Sequence, residues 1–290
     1  MRLIDLHTHS TASDGSFSPE EVVKLSKKKG LSAIALTDHD TVAGNKEAIT
    51  TGEKLGIEVI SGIEVSAYFE KGTLHILGYF VDYEDKNFLK RLCVLQEARA
   101  ERNPKIIKKL QGLGIHIDYE EVVAASGGGQ IGRPHIAQVL IKKGIVNSLE
   151  EAFEKYLKKG RPAYVEKERI TPEQCLEMLI EANALPVLAH PYTLHLDEQG
   201  LRRFVKRLKD CGLMGIEVYY PDHSPPQIKN YLELARDFDL AITGGSDFHG
   251  KNKKGVELGT GYGDLRIPYS LLEKLKKIHY RGKPWRVEIH

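Results

Sequence analysis

The stretch DLHTHSTASDG at residues 5–15 packs two histidines and two carboxylates into one short segment. If the opening residues form a strand, side chains alternate between faces, so Asp5, His7 and His9 project to the same side. Two imidazoles two residues apart on a strand can share one metal ion. An H-x-H pair also occurs without any such role, so the placement of the other histidines and carboxylates has to decide.

Those residues fall at predicted strand ends. His7 and His9 end the first strand, His39 ends the second (AIALTDHD) and Glu64 ends the third. His75 opens HILGYFVD, His190 ends LPVLAH, and Asp247 and His249 end AITGGSDFH. In a parallel α/β barrel the C-terminal strand ends meet at one rim, and that rim carries the active site. An antiparallel HILGYFVD would bring its start, His75, to the same rim. Histidines that serve packing have no reason to prefer strand ends. With Asp14 the set holds six imidazoles, three carboxylates and no thiolate. Such donors suit Zn²⁺, Mn²⁺ or Fe²⁺ rather than a structural cysteine site. Nine donors are too many for one ion, and two or three divalent cations would favour a bound phosphate and a deprotonated water. That is hydrolase chemistry.

The elements that must position these residues alternate along the chain. After the first strand comes a helix, PEEVVKLSKKKG, with Ser18 as N-cap, Pro19 in the first turn and Gly30 at its stop. The strand AIALTDHD, a helix near NKEAITTGEKLG and the strand region EVISGIEVSAYF follow. HILGYFVD can pair with that region as a hairpin through the Lys71-Gly72 turn. From residue 86 a helical block replaces the alternation and is interrupted by the flexible ASGGGQIGRPH. Alternation resumes at PEQCLEMLIEA and closes with a helix near PYSLLEKLKKIHY. Repeated βα units imply parallel strands with helices outside, in a barrel or a doubly wound sheet. Neither a dinucleotide glycine fingerprint nor a P-loop follows the first strand.

Composition sets broad bounds. The 290 residues are 41% hydrophobic and 28% charged, as in an ordinary globular protein. No apolar run approaches the ~20 residues of a membrane span, and no signal-peptide core opens the chain. Cys93, Cys175 and Cys211 are scattered, which fits a reducing cytoplasm and offers no disulfide framework. The net charge is +2, but residues 99–169 hold 14 Lys/Arg against 9 Asp/Glu, or +5, leaving −3 elsewhere. Most of those lysines read as a solvated helical surface, with room left for an anionic substrate.

At these residues the chain resembles the PHP (polymerase and histidinol phosphatase) family. The motifs are DLHTHS at 5–10, SDG at 13–15, TDHD at 37–40, GIEVS at 62–66, HILGY at 75–79, AHP at 189–191 and GGSDFH at 244–249. The resemblance implies a distorted (β/α)7 barrel, formed by residues 1–97 and 165–290, holding a trinuclear metal centre. By matching motifs, His7 and His9 would share one ion with Glu64 and Asp247. Glu64 would bridge to a second ion held by His75 and His190. Asp14, His39 and His249 would hold the third. Mn²⁺ is the expected ion, with Zn²⁺ or Fe²⁺ as alternatives. GRPHIAQVLIKKGIV at 132–146, within a helical insertion at 98–164, resembles the stand-alone bacterial PHP phosphoesterases. Those include 3′,5′-nucleoside bisphosphate phosphatases, some of which also trim RNA 5′ ends. No polymerase region follows residue 290, so the polymerase-appended class is not expected.

Arg133 and His135 lie in a glycine-flanked loop before a helix, a setting that suits an anion. The bland alternative is a surface arginine and a capping histidine. With the resemblance, both are expected to contact substrate. Arg133 would neutralise phosphoryl oxygens and His135 would protonate the leaving alkoxide, and Asp247 joins them as a catalytic residue. Asp38 and Asp40 are expected to orient ligands rather than bind metal. His116, His195, His223, His279 and His290 read as solvated or loop histidines, and Trp285, Tyr219 and Tyr220 as packing. The expected partner is a small phosphorylated molecule, a nucleotide first and a short RNA 5′ end second. The rival readings are a histidinol-phosphate or other small-metabolite phosphatase, an amide or ester hydrolase, and a metal-stabilised scaffold without catalysis.

Overall fold

The computed structural model describes residues 2–166 and 170–281. Trp285 and His290 lie outside the described residues. Seven strands form one sheet in chain order: β1 (Ile4–Thr8), β2 (Ala33–Leu36), β3 (Glu58–Ala67), β4 (Leu74–Tyr79), β5 (Leu185–Leu188), β6 (Gly215–Tyr219) and β7 (Ala241–Gly244). This consecutive order excludes the doubly wound alternative, whose strand order reverses at a switch point. β4 runs antiparallel to both β3 and β5, and every other neighbouring pair is parallel. The sheet nearly closes, because Thr8 bridges Phe248 in parallel and the His9 amide donates to the Phe248 carbonyl at 2.9 Å. The distorted seven-stranded barrel expected from the sequence is therefore present.

β1 departs from simple alternation. Its ladder pairs Asp5 with Ile34 and Thr8 with Leu36, so three steps on β1 match two on β2. This bulge shifts the phase of the strand. Ile4 and Leu6 pack into one apolar cluster with Ala33, Ala35, Leu77 and Val187. Past the bulge, His7 and His9 turn toward the carboxylates at the barrel mouth, whereas Asp5 does not join them. Its carboxylate accepts hydrogen bonds from the amides of His7, Ser246 and Gly259. The expected common side for Asp5, His7 and His9 is thus corrected by one inserted residue.

The first helix, α1 (Pro19–Lys28), has Ser18 as its expected N-cap, completed by Glu21 into a capping box, with Gly30 at φ +75° after its end. It and α2 (Asn45–Leu55) cover Ile34 and Leu36 on the outer face of the barrel. Between β4 and β5 lie α3 (Lys86–Gly112), α4 (Tyr119–Ala125), α5 (Arg133–Lys142), α6 (Leu149–Ala152) with a π-turn at Phe153–Leu157, and α7 (Pro172–Glu181). Residues from Ile106 to Ala163 form a separate apolar cluster. α3 runs without a break through position 98, so one helix joins the barrel wall to that cluster. The rest of the wall comprises α8 (Glu198–Asp210), α9 (Pro225–Asp237) and α10 (Ser270–Arg281). No helix among the described residues is long and apolar enough to cross a membrane.

Candidate metal centre

All nine sequence-predicted ligands meet at one barrel mouth. The antiparallel register places His75, the second residue of β4, opposite Ser66 near the end of β3. Glu64 lies inside β3 rather than at its end, and a bridge to His39 brings β2's extension alongside it. His190 and Asp247 follow β5 and β7 with φ of +23° and +52°. Positive φ at a residue with a Cβ is uncommon and is held here by the surrounding packing. Gly245 answers a different need: a Cβ there would overlap the His7 backbone.

Glu64 is the hub. Its Oε2 lies 3.3 Å from His7 Nε2, 3.3 Å from His9 Nε2 and 3.0 Å from His39 Nδ1. Its Oε1 lies 2.7 Å from His75 Nδ1 and 2.8 Å from His190 Nε2. Asp247 Oδ1 faces His9 Nε2 at 3.0 Å and His7 Nε2 at 3.4 Å. Asp14 Oδ1 lies 3.2 Å from His249 Nε2 and 3.9 Å from His9 Nδ1, and its Oδ2 lies 3.9 Å from His39 Nε2. Three groups have ligand atoms close enough to share an ion: His7, His9, Glu64 and Asp247; His39, Glu64 and His75; and His9, Asp14, His39 and His249.

The hydrogen bonding fits metal ions. His7 Nε2, both ring nitrogens of His9, His39 Nδ1 and Glu64 Oε2 are buried and have no hydrogen-bond partner among the described residues. Leaving one such atom unpaired costs about 1–3 kcal/mol, and five in one place would be costly without cations to occupy them. The electrostatics agree. Burial opposes charge on Glu64, yet the imidazoles of His39, His75 and His7 hold its carboxyl well below the usual range. Burial likewise opposes charge on Asp247, but Lys253, His7 and His249 keep it low. Burial pushes His75 down to about 4, against the pull of Glu64.

A supporting layer fixes the ligands. Fully buried Glu217 lies 3.0 Å from His7 Nδ1 through Oε1 and accepts the His190 backbone N–H at 2.8 Å through Oε2. Asp38 accepts from the Ser10 amide and from the hydroxyls of Ser10 and Ser13, holding the loop that carries Asp14. Asp40 accepts from the Ser66 amide and from Arg99. Tyr220, expected to serve packing, donates its hydroxyl to Asp247 Oδ2 at 2.8 Å. His223, expected in a solvated loop, is buried among Tyr192, Tyr220 and Tyr231.

Beside the cluster, a cavity of about 240 Å³ is lined by Asp14, His39 and His75 together with Arg99, Arg102 and Arg133. Arg133 donates to the Leu157 carbonyl at 2.9 Å and lies over the rings of Phe153 and Tyr164. His135 makes a capping contact. Its Nδ1 accepts the Gly132 N–H at 3.0 Å, which caps α5, and the residue is not among those lining the cavity. Sequence reasoning missed Arg99, Arg102, Glu217 and Lys253. The detectable signal was weak: a glutamate inside the apolar run MGIEVYY, which burial makes costly unless it is paired.

Comparison with known proteins agrees with this geometry. The PHP domain model matches residues 5–169. A 5′-3′ exoribonuclease of Haemophilus influenzae is 34% identical over 84% of this chain and 89% of its own length. A 3′,5′-nucleoside bisphosphate phosphatase of Chromobacterium violaceum is 30% identical over 89% of this chain and 91% of its own. A phosphoribosyl 1,2-cyclic phosphate 1,2-diphosphodiesterase of Eggerthella lenta is 35% identical over 85% and 94%. A crystal structure from Bifidobacterium adolescentis, described as a metal-dependent phosphoesterase, superposes with a TM-score of 0.85 at 28% identity, covering 98% of this chain and 97% of that one. A barrel mouth crowded with unpaired imidazole and carboxylate atoms is what such chemistry requires, and the chain belongs to the PHP family of phosphoesterases.

Proposed function

We propose that this phosphoesterase removes the 3′-phosphate of nucleoside 3′,5′-bisphosphates. The observation that carries the reading is the cavity that three arginines line together with three residues of the ligand cluster. A phosphate monoester at the cluster would leave its second phosphate within reach of guanidinium groups, which grip phosphate oxygens bidentately. Bound divalent ions, Mn²⁺ on this reading with Zn²⁺ or Fe²⁺ as alternatives, supply Lewis acidity and activate water. Glu64 and Asp247 present their oxygens to the cluster, while Glu217 holds the His7 ring. Arg133 faces the phosphoryl oxygens and is kept in place by the Leu157 carbonyl and two rings. His135 caps the Arg133 helix through Nδ1, which leaves its proton on Nε2, the nitrogen that would protonate the leaving alkoxide. The segment 98–164 acts as a lid over the substrate. Three free cysteines fit a reducing cytoplasm.

A second reading, trimming of 5′-phosphorylated RNA, has its own support. The cavity shares Thr73, Arg133 and Phe153 with a neighbouring pocket of about 480 Å³, lined also by Lys71, Lys158 and Tyr164. Cationic and aromatic side chains suit a following nucleotide. Histidinol phosphate carries a cationic amine that the arginines should disfavour. The test compares kcat/KM for adenosine 3′,5′-bisphosphate, 3′-AMP, 5′-AMP, histidinol phosphate and a 5′-phosphorylated oligoribonucleotide. The bisphosphate should lead. If histidinol phosphate leads, or if removing the 5′-phosphate changes nothing, the reading is wrong.

A further inference from the structure

Asp247 is held from two sides. Its Oδ1 faces the ligand cluster, 3.0 Å from His9 Nε2, 3.4 Å from His7 Nε2 and 3.5 Å from His249 Nδ1. Its Oδ2 is taken by two donors outside that cluster, the Tyr220 hydroxyl at 2.8 Å and the Lys253 ammonium at 2.8 Å. These donors are tied to each other: Lys253 Nζ donates to the Tyr220 oxygen at 2.9 Å and lies 4.9 Å from that ring's centroid. The backbone of Asp247 is itself in the left-handed region, at φ +52°. Main chain and side chain together leave the carboxylate little freedom to turn.

We propose that Tyr220 and Lys253 form a clamp restricting Asp247 to one metal-facing oxygen, and that the clamp sets which divalent ion the cluster prefers. The physical basis is how ions use carboxylates. Zn²⁺ is satisfied by about four donors, and imidazole suits Zn²⁺ and Fe²⁺. Ca²⁺ seeks about six to eight oxygens and readily takes both oxygens of a carboxylate. With Oδ2 engaged, Asp247 offers one oxygen only, which disadvantages Ca²⁺ and costs a transition metal little. Lys253 is on this account a positioning residue, reaching the cluster only through Asp247. The proposal rests on Asp247 being a metal ligand.

Loss of positive charge beside the cluster has to be separated from loss of the geometric restraint. Removing a cation strengthens the binding of every divalent ion by a similar factor, because all carry the same charge. Releasing the restraint changes their ratio. The experiment measures Zn²⁺ and Ca²⁺ dissociation constants by calorimetry on metal-stripped full-length protein. The variants are Lys253→Met, Tyr220→Phe and Lys253→Arg, with circular dichroism to confirm the fold. Lys253→Met and Tyr220→Phe should each shift the ratio toward Ca²⁺ by about tenfold or more, in the range that outer partners of metal ligands command. Lys253→Arg, which can still donate to Oδ2, should restore most of the preference for Zn²⁺. Tyr220→Phe keeps the ring and removes only the hydroxyl, so it carries the test if Lys253→Met fails to fold. An unchanged ratio, with both constants unmoved or shifted equally, overturns the clamp. Wild-type protein that binds neither ion overturns the ligand reading beneath it, which is a different outcome.

Discussion

Glu217→Gln probes how the fold prepares the ligand cluster. In the native chain one fully buried carboxylate lies against two donors, the His7 Nδ1–H at 3.0 Å and the His190 backbone N–H at 2.8 Å. Holding the proton on Nδ1 leaves the His7 Nε2 lone pair free to face Glu64 and Asp247, from which it lies 3.3 and 3.4 Å. Glutamine has the same shape but only one accepting oxygen. If it accepts from His190, its amide donates to His7 Nδ1, the tautomer reverses, and Nε2 carries a hydrogen into the cluster. If it accepts from His7, the His190 amide is buried facing a donor. One unsatisfied buried group costs about 1–3 kcal/mol, so Tm should fall by roughly 2–10 °C. Loss of the partner that orients a ligating histidine should weaken metal binding about 10–100-fold. Differential scanning calorimetry of the metal-stripped protein reads the first effect, and metal titration reads the second. A lower Tm with unaltered metal affinity would make Glu217 a packing residue and refute the tautomer argument.

The other predictions concern the cluster, the cavity and the strand packing. His9→Ala should lose bound metal and activity together, by elemental analysis and phosphate release, because His9 belongs to two of the three ligand groups. Arg133→Ala should lower kcat/KM roughly ten- to more than a hundredfold, from loss of a charge-assisted contact of about 1.5–3 kcal/mol, with metal content unchanged. Wild-type kinetics in that variant would remove Arg133 from the substrate site. Gly245→Ala should destabilise the fold by about 1–3 kcal/mol in thermal unfolding, because its methyl would overlap the His7 backbone.

What was legible in the sequence follows from locality. Strand ends and helix caps are set by neighbouring residues, so Ser18, Gly30 and the strand-end histidines could be placed from the chain alone. The hairpin of β3 and β4 was visible from two adjacent apolar runs, and it put His75 at the correct rim. The β1 bulge was not visible, because a one-residue shift depends on the register with β2 and leaves no mark in LIDLHTH. Glu217, Tyr220 and Lys253 also escaped, since each acts on a residue far from it in sequence or across a loop. Arg99 and Arg102 resemble any solvated helical arginine. They line the cavity because α3 brings them beside the barrel wall, where Arg99 meets Asp40 and Ser66. For His135, the capping contact with Gly132, three residues away, is a local feature that its sequence neighbourhood already offered beside the substrate role.

On this reading the crowded barrel mouth is a metal-dependent phosphoester-hydrolysing centre. The most direct test of that reading is phosphate release from adenosine 3′,5′-bisphosphate by the full-length protein, as purified, after chelation and after adding back Mn²⁺. The expected result is release by the purified protein, its loss on chelation, its return with Mn²⁺, and more than one bound ion per chain in the active sample. Release that survives complete removal of metal, or no release with Mn²⁺, Zn²⁺ or Fe²⁺ from this or any other phosphate ester, would contradict it.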